Sequence, residues 1–73
     1  MMRVEDFRYR QIAGAIRDAI EQGALRPGDP VPSAKTLSQE HDASIETARK
    51  ALRLLLSEGL IYRESAGLPF YVK

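Results

Sequence analysis

Cysteine and tryptophan are missing from this 73-residue sequence, and His41 is its one histidine. Without cysteine there is no disulfide staple and no thiolate-bound metal centre, and the absence fits a reducing compartment. One histidine among scattered carboxylates does not assemble a transition-metal site. Nor does it make a catalytic centre: Ser38 and Asp42 lie near His41 in sequence, but no glycine-rich elbow or orienting group accompanies them. Long apolar runs are missing too. The best, Leu54–Leu56, is bracketed by Arg53 and Glu58, far short of the roughly 18 to 20 residues that cross a bilayer. The polar, acidic start from Met1 to Asp6 carries no secretory signal. We therefore expect a cytoplasmic protein with no membrane association, no cofactor, no metal and no enzymatic activity.

A surplus of charge is also absent, since 11 Lys and Arg face 10 Asp and Glu, for a net charge of +1. This excludes a chain that holds nucleic acid by bulk electrostatics, but not one with a local patch. Five basic residues (Arg3, Arg8, Arg10, Arg17, Arg26) balance five acidic ones (Glu5, Asp6, Asp18, Glu21, Asp29) within residues 1–32. Between Ile45 and Arg53, in contrast, Arg49, Lys50 and Arg53 stand against Glu46 alone. A chain of this size buries only about 60% of its unfolded surface, which predicts one compact domain spanning residues 1–73.

What is present is periodicity. Tyr9, Ile12, Ala13, Ile16, Ala19 and Ile20 recur at the three-and-four spacing of one helical face, which predicts a helix from about Asp6 to Gln22. Asp6 is expected to cap it and Gly23 to end it in a left-handed conformation. Pro27-Gly28, Pro30 and Pro32 then forbid helix and predict an ordered loop, with Leu25 and Val31 anchoring it and a short extended piece near Val31. Ser33 is placed to cap a short second helix whose Ala34 and Leu37 turn inward, with His41 on the surface or half-buried at its end. Ser44 is placed to cap a third, running to about Ser57, with Ala48, Ala51, Leu52, Leu55 and Leu56 as its inner face. Beyond Glu58-Gly59, Leu60–Glu64 and Phe70–Val72 read as two strands of a hairpin. This order is that of a mainly helical α+β fold, a winged helix-turn-helix with three helices and a C-terminal hairpin wing.

Residues four apart on a helix lie about 40° apart around its axis, so Ile45, Arg49 and Arg53 form one outward row, with Glu46 and Lys50 in the next. Such a helix fits the major groove of double-stranded DNA. Arg49 is the candidate for a base contact, because its planar fork spans two acceptors on a guanine edge, while Lys50 and Arg53 are placed for phosphates. The same charges also suit a merely solvated face. The DNA reading requires their tips to be accessible, neither folded beneath the hairpin nor engaged by carboxylates. Ser33 and Ser44 read first as helix caps, and a capped N-terminus aimed at a phosphate also offers amide donors. Gly67 reads as a turn residue at the wing tip, where a missing side chain permits close approach to a DNA backbone.

Taken together, Tyr9-Arg10-Gln11-Ile12-Ala13, Ile20-Glu21-Gln22-Gly23-Ala24-Leu25-Arg26-Pro27-Gly28-Asp29, Val31-Pro32-Ser33, Ala48-Arg49-Lys50-Ala51-Leu52 and Ser57-Glu58-Gly59-Leu60-Ile61 resemble the N-terminal winged-helix domain of GntR-type bacterial transcription regulators. The resemblance implies a sequence-specific double-stranded DNA-binding protein whose third helix reads the major groove while its wing touches the adjacent backbone or minor groove. It implies DNA contacts at Ser33, Lys35, Ser44, Ile45, Thr47, Arg49 and Gly67. Lys35 and Ile45 stand where the family usually has Arg, Asp42 stands where its turn has Gly, and Pro69 lies near the second wing glycine.

The family also implies a C-terminal effector-binding domain that makes most of the dimer contacts, which is not expected within these residues. The expectation is either an excised reading head or a naturally short protein that acts alone or as a weak homodimer. A winged helix reused as a protein-docking module is the rival reading, supported by the apolar Ile45 and by Leu54, Tyr62 and Tyr71 if they are exposed.

Overall fold

The computed structural model describes residues 4–73, the side chain of Glu5 excepted. Met1 to Arg3, part of the polar start noted above, lie outside the described residues. Helix α1 spans Val4–Glu21, α2 Ala34–Glu40 and α3 Ile45–Ser57, followed by strands β1 (Ile61–Tyr62) and β2 (Tyr71–Val72). The predicted order holds, with three differences at the edges. α1 begins before Asp6, which therefore sits in the first helical turn and is not the cap; a carboxylate there still favours the positive helix end. The strands are shorter than the β-prone runs that contain them. Leu56, expected inside, is 41% exposed, because the buried stripe of α3 passes through Leu52 and Leu55.

The core is one cluster in which every element takes part. Ile12, Ala13 and Ile16 come from α1, Val31 from the loop, Leu37 from α2, and Ala48, Ala51, Leu52 and Leu55 from α3, with Ile61 and Val72 closing it from the hairpin. Ala48 and Ala51 are fully buried. Their lack of bulk lets neighbouring helices approach the α3 axis closely. Tyr9, Ile20, Leu25, Leu54 and Phe70 pack around this centre, so Leu54 is not part of an exposed patch.

Chain direction is fixed at each helix end. The Gly59 N–H donates to the Leu56 carbonyl at 3.0 Å and the Leu60 N–H to the Leu55 carbonyl at 3.1 Å, the paired bonds of a Schellman stop that sends the chain into β1. α2 stops similarly through the Ala43 N–H and Ser38 carbonyl, 2.9 Å apart, with Asp42 left-handed at φ 51°. Aspartate accepts that conformation better than most residues. The Arg8 guanidinium donates to the Asp42 carbonyl at 2.6 Å, tying α1 to this turn, and Arg17 forms a two-pronged pair with Glu58 at 2.8 and 3.0 Å, tying α1 to the end of α3.

In the hairpin Ile61 pairs with Val72 and Tyr62 with Tyr71, so alternation puts the first pair in the core and the tyrosines on the outer face. The extended piece near Val31 is present as a third, shorter rung. Pro30 bridges to Tyr71, the Val31 N–H donates to the Phe70 carbonyl at 2.8 Å, and the Val72 N–H to the Asp29 carbonyl at 2.9 Å. β2 is thereby bonded on both edges.

Substituting Leu55→Ala is expected to lower unfolding stability by about 2 to 5 kcal/mol, while Leu56→Ala changes it by no more than about 0.5 kcal/mol. Urea unfolding followed by circular dichroism measures both, and equal losses would contradict the placement of the two leucines.

Candidate nucleic-acid interface

Ser44 ends its own extended stretch at φ −71°, ψ 156°, and its Oγ accepts the Thr47 N–H at 3.1 Å, which starts α3 where sequence spacing places it. Ser33 does the same for α2, accepting the Thr36 N–H at 3.2 Å. Both serines are exposed caps. Thr47 is different. It is 5% exposed and its hydroxyl shares a 2.8 Å hydrogen bond with Ser44 Oγ, so its side chain holds the cap and offers little surface to a ligand.

The outward face of α3 carries Ile45, Glu46, Arg49, Lys50 and Arg53, all exposed. Arg49 and Arg53 do not all lie free. Glu46 receives Arg53 Nη2 on Oε1 at 2.9 Å and stands 3.6 Å from Arg49 Nη1 through Oε2. The accessibility condition set by the sequence is therefore met only in part. One carboxylate cannot neutralise two guanidinium groups, and the three side chains remain more than 60% exposed. Ion pairs this open contribute about 0 to 1 kcal/mol and exchange readily for other anions. Each guanidinium also retains unused N–H donors.

Arg49 and Arg53 border an open cleft of about 590 Å³ between α3, the N-terminus of α2 and the wing. Ser33 and Ala34 line its α2 side, Leu52 and Val31 its floor, and Arg63, Gly67, Leu68, Pro69 and Phe70 its wing side. Of the candidates named from sequence, Ser33, Arg49, Arg53 and Gly67 converge here. Lys50 does not: with Asp6, Tyr9, Arg53 and Leu54 it borders a second, shallower groove between α1 and α3. Ser44, Ile45, Glu46 and Thr47 occupy the opposite end of α3 from its C-cap, and Lys35 is exposed on α2.

Arg63 was not singled out by the sequence reading. Its guanidinium carbon sits 4.6 Å from the centroid of the Phe70 ring, a stacking that fixes a third cation on the wing side of the cleft. A basic residue directly after an apolar strand pair, facing an aromatic across a turn, was the available signal. Gly67 turns the wing at φ 89°, and a Cβ there would meet nothing within 4 Å, so the glycine answers to backbone conformation rather than to crowding.

Helices α2 and α3, joined through residues 41–44 and flanked by a β-hairpin, define a winged helix-turn-helix domain. Within that class the chain belongs to the GntR family, since the model for bacterial regulatory proteins of the gntR family matches residues 8–70. It is 42% identical over 65 residues to the mannosyl-D-glycerate transport/metabolism system repressor MngR of Escherichia coli, an alignment covering 89% of this chain and 27% of that protein. To the transcriptional repressor NagR of Bacillus subtilis it is 38% identical over 55 residues, covering 75% of this chain and 23% of NagR. Thus the chain spans about a quarter of the length of these relatives. Among solved structures it resembles the AraR DNA-binding domain crystallised with operator ORR3, with a TM-score of 0.83 and 33% identity over 90% of this chain and 78% of that one.

Removing the α3 cap with Ser44→Ala is expected to cost about 1 kcal/mol or somewhat more, because it also strands the buried Thr47 hydroxyl. Ser33→Ala is expected to cost less, since Thr36 is exposed and its hydroxyl turns to water. Thermal unfolding of the two variants side by side tests this order.

Proposed function

We propose that this chain is the DNA-reading domain of a transcription regulator, with α3 lying in the major groove and the wing on the adjacent backbone or minor groove. The convergence of Arg49, Arg53 and Arg63 on one open cleft, reached from two elements, is the observation that carries this reading. Arg49 is assigned to a base edge, where its two parallel donors match guanine O6 and N7. Arg53, Arg63 and Lys35 are assigned to phosphates, which fix register without reading sequence. Lys50, on the α1 side of α3, is assigned to the flanking backbone. The α2 and α3 N-termini add amide donors beside Ser33 and Ser44, and Gly67 lets the wing approach closely. Thr47 acts through the cap it holds. The operator-bound state of the AraR domain supports the same orientation for this chain.

Binding by one such module is expected to be weak and strongly salt-dependent, because each neutralised phosphate releases a counterion. A palindromic operator requires two copies with their reading helices about 34 Å apart; we assign that pairing to a weak homodimer or to segments beyond residues 1–73. A domain spanning residues 1–73 that reads DNA, rather than catalyses a reaction, belongs in the cytoplasm. No helix among the described residues is long and apolar enough to cross a membrane.

Amide chemical shifts during titration with duplex DNA at two salt concentrations test the proposal. Changes centred on Ser44 to Arg53, Arg63 and Gly67 that shrink as salt rises are expected; silence there at low salt would leave the face as a protein-docking surface instead. Arg49→Ala is expected to equalise affinity for preferred and random duplexes while leaving the melting temperature within about 2 °C, as for an exposed substitution. Glu46→Gln, which releases both arginines, is expected to strengthen binding to any duplex at low salt.

A further inference from the structure

The row that faces outward on α3 begins with an apolar residue. Ile45 is the first residue of the helix, directly after the Ser44 cap, and it is 44% exposed outside the core cluster. Its neighbour Glu46 is an exposed carboxylate, and the first cation along the helix is Arg49, a full turn further on. Beyond the Ser44 cap this end of α3 carries no cationic side chain, and Glu46 sets a negative charge beside Ile45. What Ile45 can meet favourably in a major groove is a methyl group.

We propose that Ile45 is a specificity-determining residue that packs on the 5-methyl group of a thymine next to the base read by Arg49. The inference rests on the DNA-binding reading above and names what that site selects. Recognition helices meet base edges with their N-terminal residues. Only the A·T pair puts a methyl group into the major groove, so an apolar contact there discriminates all other bases. Isoleucine is branched at Cβ and stiff in χ1, so little rotamer freedom is lost when it packs. Glu46 disfavours the two-acceptor edge of guanine at this position, and the apolar Ile45 side chain is what selects the methyl of thymine.

The test uses the 73-residue chain and duplexes that it enriches from a random pool at low salt, followed by replacement of each thymine in turn with deoxyuridine, which removes only the methyl group. One deoxyuridine, next to the guanine whose loss mimics Arg49→Ala, is expected to weaken binding about fourfold, the value of one buried methyl. Ile45→Ala is expected to bind thymine and deoxyuridine duplexes alike, and Ile45→Arg to shift the enriched base toward guanine. Both substitutions are at an exposed position, and an unchanged circular dichroism melt checks that they fold. If no deoxyuridine weakens binding while Arg49→Ala still abolishes preference, the thymine assignment is wrong and the DNA-binding reading stands. If no duplex binds at low salt, or the pool enriches no sequence, the assignment falls with the reading on which it rests.

Discussion

Everything in this small domain depends on the division of α3 into two faces. Ala48, Ala51, Leu52 and Leu55 are buried against α1, α2 and the hairpin, which commits the remaining positions to the outside. The rotation of the helix is thereby set by apolar burial, and the arginines are placed as a by-product. A register error of one residue would rotate the helix by about 100° and carry the cations toward the core. The Ser44 cap and the Gly59 stop hold the two ends of the same helix, so its start, its finish and its rotation are each fixed by a different kind of interaction.

The helices were legible in the sequence because their signals are local. Apolar periodicity, serine caps and glycine stops act within one or two turns, and each was found close to its predicted place. Leu56 departs from expectation because the five apolar residues on either side of Arg53, Ala51-Leu52 and Leu54–Leu56, offer more candidates than a stripe can bury, and only the packing of α1 and β1 decides among them. The ladder between residues 29–31 and β2 was foreseen as an extended piece but not as a partner of the wing, since strand pairing across some forty residues leaves no local trace.

The candidate site divides along the same line. That Arg49 and Arg53 share a face follows from helical spacing, and their convergence with Ser33 and Gly67 was within reach of the winged-helix resemblance. The Glu46 pairings and the stacking of Arg63 on Phe70 are matters of rotamer and tertiary approach, which composition does not record. At Thr47 the resemblance implies a DNA contact, while its position two residues beyond Ile45 turns the side chain inward, onto the cap.

Because β2 is bonded on both edges, the stretch from Gly28 to Val31 is joined to the base of the wing, and Ser33 lies two residues beyond that joint. The opposite wall, α3, runs through its Gly59 stop straight into β1 of the same sheet. The bases of the two walls of the cleft are thus anchored to the same short sheet. A duplex meeting both walls would engage elements joined at their roots by backbone hydrogen bonds, which makes groove width and bendability of the nucleic acid part of the fit.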